Sequence, residues 1–209
     1  MEFTLKYIKT ALLASFMLIS FGLSAQDKTA LPDVFSASYT YEAKAEYSKA
    51  IEVLKKVYDE SSYEINLRLG WLSYQSGLFT ESISFYNKAI ALMPMSIEAR
   101  LGYVLPVSAM GNYNQVITRY NEILRLDPNH YTVNYKLGLI YYNRKNYQEA
   151  HKYFEKIVNL YPFDYDALLM MGWTNFQLGK LREAKILFGK ALLNRPGDSS
   201  ALEGISLIK

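Results

Sequence analysis

The positions of small and large apolar residues along this chain repeat every 34 residues. Small residues recur at two places of each repeat, illustrated by Gly138 and Gly172 at the first and by Ala150 and Ala184 at the second. Large apolar residues follow four places after the second small one, at Leu54, Tyr86, Tyr120, Phe154 and Phe188. This spacing predicts two helices per repeat that cross closely at the small residues, with aromatic side chains filling the space that remains.

Proline and glycine residues mark the ends of the predicted helices. Prolines recur 34 residues apart at Pro94, Pro128, Pro162 and Pro196, and proline cannot continue the hydrogen bonds of a helix. Between the paired helices, one shared place is occupied by Gly77, Gly111 and Gly179 and, in two other repeats, by the pairs Lys44-Ala45 and Lys145-Asn146. A residue with positive φ at this place ends the first helix of each pair at low cost.

In these features the chain resembles the tetratricopeptide repeat. The repeat 131–164 carries the family pattern as Leu137, Gly138, Tyr141, Ala150, Phe154 and Pro162. The repeat 165–198 carries it as Gly172, Ala184, Phe188, Ala191 and Pro196. The resemblance implies an all-α fold, a right-handed superhelical solenoid of helix hairpins, and a protein that binds other molecules along an extended surface.

The repeat register divides most of the chain into five units, which are 31–62, 63–96, 97–130, 131–164 and 165–198. The first unit is two residues short and lacks the proline, and the third is degenerate, with Val104 and Val116 at its small places. Residues 199–209 begin with serines able to cap a helix and continue with Ala201 and Ile205 among their apolar residues. They predict a C-terminal capping helix that covers the apolar face of the last unit.

The first 25 residues follow a different pattern. Lys6 and Lys9 precede the largely apolar run 11–23, which ends at the small residues Ser24 and Ala25. Because a membrane span needs about 20 apolar residues, this run favours a cleaved signal peptide over an anchor. We therefore expect an exported protein, periplasmic, envelope-associated or secreted, without stable membrane insertion after cleavage, whose mature chain starts with a flexible segment at 26–30.

Composition and charge exclude several functional classes. The chain is 50% hydrophobic and 21% charged, which suits a globular protein with a substantial core. The sequence contains no cysteine, which excludes disulfides, thiol nucleophiles, cysteine metal ligands and the lipid-carrying cysteine of a bacterial lipoprotein. The net charge is +3, and the basic residues are scattered among acids, so nucleic acid is not an expected partner.

The sequence offers no catalytic constellation. His130 and His151 are the only histidines, and neither has a second histidine four places away, so no zinc ligand set exists. The glycines recur at packing and turn places and form no phosphate-binding loop. We expect a protein that is not an enzyme and uses neither cofactor nor metal.

The resemblance implies that the first helix of each unit lines a concave face. Ligand contacts in the family come largely from the second, fifth, ninth, twelfth and thirteenth places. Here the aromatic candidates are Tyr39, Trp71, Tyr74, Tyr135, Tyr142, Trp173 and Phe176, and the polar ones beside them are Arg68, Gln75, Lys136, Asn143 and Gln177. The lysine and asparagine that clamp a C-terminal carboxylate in some members are absent from the fifth and ninth places, so a carboxylate clamp is not expected.

Two interpretations of these aromatics stay open, since fifth and ninth places also contact neighbouring helices. Trp71 and Trp173 begin nearly the same series of tryptophan, aromatic and glutamine, which favours partial exposure in a groove. On that interpretation, alanine at both tryptophans abolishes partner capture with little loss of helicity. The leading hypothesis is a protein interaction scaffold that binds a peptide segment or helix, and the alternative is a glycan-binding accessory protein that stacks sugars on the aromatics.

Overall fold

The computed structural model describes residues 30–208, in which all regular secondary structure is helical. The helices are α1 (Leu31–Ala43), α2 (Tyr47–Lys55), α3 (Tyr63–Gln75), α4 (Phe79–Leu92), α5 (Ile97–Ala109), α6 (Tyr113–Leu126), α7 (Tyr131–Asn143), α8 (Tyr147–Leu160), α9 (Tyr165–Gln177), α10 (Leu181–Asn194) and α11 (Ser199–Ser206). One hairpin falls in each of the five units, with α1, α3, α5, α7 and α9 as first helices. The predicted signal peptide, residues 26–29 and Lys209 lie outside the described residues.

A side chain at the last place of each unit caps the first helix of the next. These N-caps are Ser62, Ser96, His130, Asp164 and Asp198, and each accepts a hydrogen bond from the backbone N–H three residues later. Such caps satisfy a donor that the helix itself leaves free. The terminal helix α11 is thus capped by Asp198, and not by the serines that the sequence pattern suggested.

The turn inside every hairpin contains one residue in the left-handed conformation. Gly77, Gly111 and Gly179 have φ between 73° and 75°, while Ala45 and Lys145 have φ of 57° and 60°. Glycine adopts this conformation without steric cost, whereas a residue with a Cβ is strained in it. The predicted helix-ending place is therefore confirmed in all five units, including the two without glycine.

Close glycine–aromatic contacts join the two helices of the second, fourth and fifth hairpins. A Cβ added at Gly172 would lie 2.7 Å from the Phe188 ring, and one at Gly204 of α11 would lie 2.4 Å from the other side of the same ring. Phe188 is fully buried between these two helices. Tyr86 lies in the same way against Gly70 of α3 and Gly102 of α5. Glycines on both sides of the ring therefore let an aromatic side chain of one unit also contact the next helix hairpin or the terminal helix.

At three of the five junctions the first helices of neighbouring units, or the last first helix and α11, also pack on each other: α3 on α5, α7 on α9 and α9 on α11. Second helices of successive units show no packing of that extent within residues 30–208. The first helices consequently form the inner side of a curved array, and the predicted all-α solenoid of five hairpins with a terminal helix is confirmed. Among the helices of the described part, none is long and apolar enough to span a membrane.

Candidate partner-binding groove

The groove along the first helices begins with Trp71 in α3, which connects the first two units. Its indole N–H donates to the carboxylate of Glu42 in α1, and its ring lies 6.0 Å from that of Tyr74. The half-buried indole packs against the core of the first two hairpins and against the core of the next ones. Trp71 therefore contributes to packing as well as to the groove surface.

Arg68 differs from the exposed polar handle that the sequence suggested. Its side chain is only 7% exposed, and its Nη1 forms an ion pair with Glu42. The guanidinium carbon lies 3.9 Å from the centre of the Tyr39 ring, which itself is exposed. The Nε and Nη2 atoms have no hydrogen-bond partner among residues 30–208. Arg68 is thus a buried charge whose donor capacity is only partly used.

Arg68 lies at a cavity of about 510 Å³ between α1, α3 and α5, which we name the Arg68 cavity. Its aromatic lining consists of Phe35, Tyr39, Tyr63, Trp71 and Tyr86, and its charged lining consists of Arg68, Glu64 and Glu98. The Tyr63 hydroxyl donates to Glu98 over 3.2 Å. Burial, reinforced by the charge of Glu98, raises the pKa of the Tyr86 hydroxyl, which therefore stays neutral at physiological pH.

The middle of the groove is lined by α7. The ring of Tyr135 stacks parallel to that of Tyr131 at 6.2 Å and meets the buried Phe154 edge-on at 5.8 Å. Tyr142 is half-buried and meets Tyr147 edge-on at 5.3 Å. These tyrosines therefore present part of their rings outside the core.

The predicted polar residues other than Arg68 are more accessible than Arg68. Lys136, Asn143 and Gln177 are exposed, and Gln75 is half-buried near the end of α3. Their side chains are positioned to contact solvent or a ligand.

The groove ends at Trp173 in α9, which is tied to the terminal helix. Its indole N–H donates to the Ser200 hydroxyl over 2.9 Å, and its ring meets Phe188 edge-on at 5.1 Å. Phe176 lies 5.7 Å from the same indole. Trp173 is half-buried, so both interpretations of the aromatics apply to it, as they do to Trp71. Alanine at either tryptophan is consequently expected to remove packing as well as groove surface, and the small loss of helicity stays a prediction.

The residues of the Arg68 cavity that are absent from the sequence-based candidates include its two carboxylates, Glu64 and Glu98, and the tyrosines Tyr63 and Tyr86. Glu64 and Glu98 occupy the second place of their units, which the family resemblance marks as a contact place, so that signal was present. Tyr86 belongs to a second helix and reaches the cavity only because Gly70 and Gly102 leave room for its ring. This contact is formed between units and has no signature within one unit.

His130 has a capping role, and His151 is partly buried. His130 caps α7 by accepting the N–H of Val133. Burial, together with the nearby Lys180, lowers the pKa of His151. Over residues 30–208, no three or more histidine and acidic side chains are grouped so that they could hold a metal ion.

Comparison with protein families identifies three segments of the chain. Residues 63–94, 131–164 and 166–198 each match a family model described as tetratricopeptide repeat. The matched segments cover nearly all of the second, fourth and fifth units, which are the units that preserve most of the repeat pattern.

Solved structures share the fold over most of the chain. A tetratricopeptide repeat protein from Parabacteroides merdae is 22% identical, with a TM-score of 0.71, over 85% of this chain and 71% of that one. The protein MamA is 24% identical, with a TM-score of 0.67, over 78% of this chain and 90% of its own. YrrB, described as a TPR protein with an unusual peptide-binding site, is 16% identical, with a TM-score of 0.67, over 87% of this chain and 94% of its own.

Proposed function

Because the chain belongs to the tetratricopeptide repeat family, we propose that it is a non-catalytic scaffold that binds a partner protein along its first helices. The ligand is a peptide segment or a helix. The observation that carries this proposal is the set of partly exposed aromatic rings on four of the five first helices, α1, α3, α7 and α9, from Tyr39 through Tyr135 to Phe176. Aromatic surface flanked by a few polar groups suits a peptide, which offers both apolar side chains and main-chain polar groups.

The comparison with YrrB supports this reading by analogy. That protein shares the fold and is described as having a peptide-binding site. Its low identity transfers no individual contact, so no residue of the proposed groove is assigned from YrrB.

Site-specific photo-crosslinking tests the groove. A photoreactive phenylalanine analogue replaces the groove residue Tyr135 or, as a control, Tyr113, an exposed tyrosine at the start of the second helix α6. In the cells that produce the protein, we expect crosslinking of one discrete partner protein at Tyr135 and none at Tyr113. Equal crosslinking at both positions contradicts the groove. Crosslinking of Tyr135 to polysaccharide, with no protein crosslinked, favours the glycan-binding alternative.

We further propose that the scaffold works in the cell envelope after export. The support is the charged start, the short apolar run and the small residues that end it within 1–25. Export with cleavage predicts that the mature protein begins near Gln26, which N-terminal sequencing of protein from the envelope fraction measures. A mature protein that keeps Lys6 and Lys9 contradicts cleavage, and one recovered wholly with cytoplasmic markers contradicts export.

A further inference from the structure

The Arg68 cavity contains a group that is incompletely satisfied. The guanidinium is 7% exposed, and its Nε and Nη2 donors find no acceptor in the described part of the chain. A buried donor without an acceptor loses its hydration without compensation, so an acceptor brought by a ligand is stabilising there. Both donors are also closed off from solvent, so an oxygen from outside reaches them only when neighbouring side chains of the lining move aside.

The charges around the cavity select which ligand can bring that oxygen. Glu42 already neutralises Arg68 through its ion pair. Glu64 and Glu98 line the cavity as well, both are exposed, and neither forms an ion pair with another described residue. The two remaining carboxylates repel an anionic ligand and attract a cation. The oxygen is consequently that of a neutral carbonyl, in a ligand that also carries positive charge.

Aromatic rings border the same space and suit a cation. Tyr39, Tyr63 and Trp71 line the cavity, and the Arg68 guanidinium already lies over the ring of Tyr39. A cation near aromatic faces and carboxylates gains both quadrupole and Coulomb attraction. The apolar stem of a lysine or arginine finds contacts with Leu67 and Leu105 in the same lining.

We propose that the Arg68 cavity binds a lysine or arginine side chain of a partner's peptide segment. The cation lies near Glu64 and Glu98, and a main-chain carbonyl of the same segment accepts hydrogen bonds from Nε and Nη2 of Arg68. This inference rests on the proposed scaffold function and specifies the kind of residue that anchors the partner. The rest of the groove binds the remainder of the segment.

Three peptides of matched length test the charge preference. They have the form acetyl-Ala-Ala-Xaa-Ala-Ala-amide, with lysine, norleucine or glutamate at Xaa. The full chain carries Trp173→Phe, so that Trp71 in the cavity is the only tryptophan and its fluorescence reports binding. We expect the lysine peptide to bind about tenfold more tightly than the norleucine peptide, the glutamate peptide to bind weakest, and the preference to shrink as salt is added.

Charge-matched variants assign the effect to the cavity. The double variant Glu64→Gln/Glu98→Gln is expected to bind the lysine and norleucine peptides equally. The control Glu81→Gln/Glu203→Gln removes two exposed glutamates outside the cavity and is expected to keep the preference. Arg68→Lys retains a positive charge for Glu42 but removes the unused Nε and Nη2 donors. It is therefore expected to weaken the binding of the lysine and norleucine peptides by the same factor.

The inference is overturned by tighter binding of the glutamate peptide, by equal binding of all three peptides, or by binding of none of them. Persistence of the lysine preference in Glu64→Gln/Glu98→Gln also overturns it. Circular dichroism of each variant separates loss of binding from loss of fold. Crosslinking at Tyr135 together with a failed peptide titration leaves the scaffold standing and removes only the basic anchor, so the two proposals fail separately.

Discussion

Trp71 and Trp173 begin almost the same sequence series in two units, yet their neighbours differ. Trp71 donates its N–H backwards along the chain, to the charged Glu42 of the preceding unit, beside an open cavity. Trp173 donates forwards, to the neutral Ser200 of the terminal helix, and lies on the Phe188 ring. The place in the repeat therefore determines where the side chain lies, while the neighbouring unit determines its hydrogen-bond partner and surroundings.

The largest expected difference in stability between matched variants of the two ends comes from Glu42, the acid beside Trp71. Glu42→Ala leaves the buried Arg68 without its counter-charge and is expected to cost about 3–5 kcal/mol of unfolding free energy. Tyr142→Ala changes the equivalent place of the fourth unit, where the facing place holds the uncharged Met170, and is expected to cost about 1–2 kcal/mol. Urea denaturation measures both values.

The double variant Glu42→Ala/Arg68→Met checks the cause. Removing both charges is expected to recover most of the lost stability, because no buried charge remains unpaired. A double variant as unstable as Glu42→Ala alone contradicts the ion-pair explanation.

Alanine at the two tryptophans is expected to lower local stability at opposite ends of the array, one end for each variant. Trp173→Ala removes the contacts with Phe188 and Ser200, and Trp71→Ala removes packing between the first two hairpins, each at about 2–4 kcal/mol. Hydrogen exchange is expected to accelerate in α11 for the first variant and in α1 and α2 for the second. Uniform acceleration along the whole chain in both variants argues against this local division.

The glycines that precede the two tryptophans offer a finer comparison. A Cβ at Gly172 meets the buried Phe188 ring at 2.7 Å, whereas one at Gly70 meets Tyr86 at 3.0 Å. Gly172→Ala is expected to destabilise by about 1–3 kcal/mol through overpacking. Gly70→Ala changes stability by less than about 1 kcal/mol, because the gain in helix propensity offsets the milder contact. Thermal denaturation of the pair distinguishes the two, and an equal loss would show that both rings yield alike.

The smallest expected effects on stability come from the hairpin turns. The first and the fourth unit each have one residue with a side chain in the left-handed conformation there. Ala45→Gly in the first unit and Lys145→Gly in the fourth relieve a left-handed conformation and are expected to raise stability, each by up to about 1 kcal/mol. Gly179→Ala introduces the strain and has the opposite sign. The midpoints of urea unfolding measure the three variants, and a destabilised Lys145→Gly would indicate that the lysine side chain stabilises the turn by other means.

Most of the fold could be predicted from the sequence because it depends on contacts inside one repeat. Gly138 and Phe154 belong to the same unit, and their spacing alone predicts the close helix crossing that the structure shows. The turn at Lys145 was predicted from its register with glycines elsewhere.

Much of the candidate site could not be predicted, because it forms between units. The buried Arg68 pairs with Glu42, 26 places earlier in the preceding unit, and the repeat pattern contains no rule for this pair. At the start of α11 the sequence pattern suggests serine caps, whereas Asp198 of the preceding unit performs that role.

The hydrogen bonds that join the start of one unit to the start of the next also set where the array can flex. The hydroxyls of Tyr63, Tyr131 and Tyr165 bond to the capping residue 33 places later, at 2.8, 3.0 and 2.6 Å. Ile97, which begins the third unit, has no hydroxyl to reach His130. Leu31, which begins the first unit, lacks a hydroxyl as well, but Glu42 joins that unit to Arg68 and Trp71 of the next. The third and fourth units have neither tie, so we expect the array to hinge at their joint under mechanical load or on closing around a ligand.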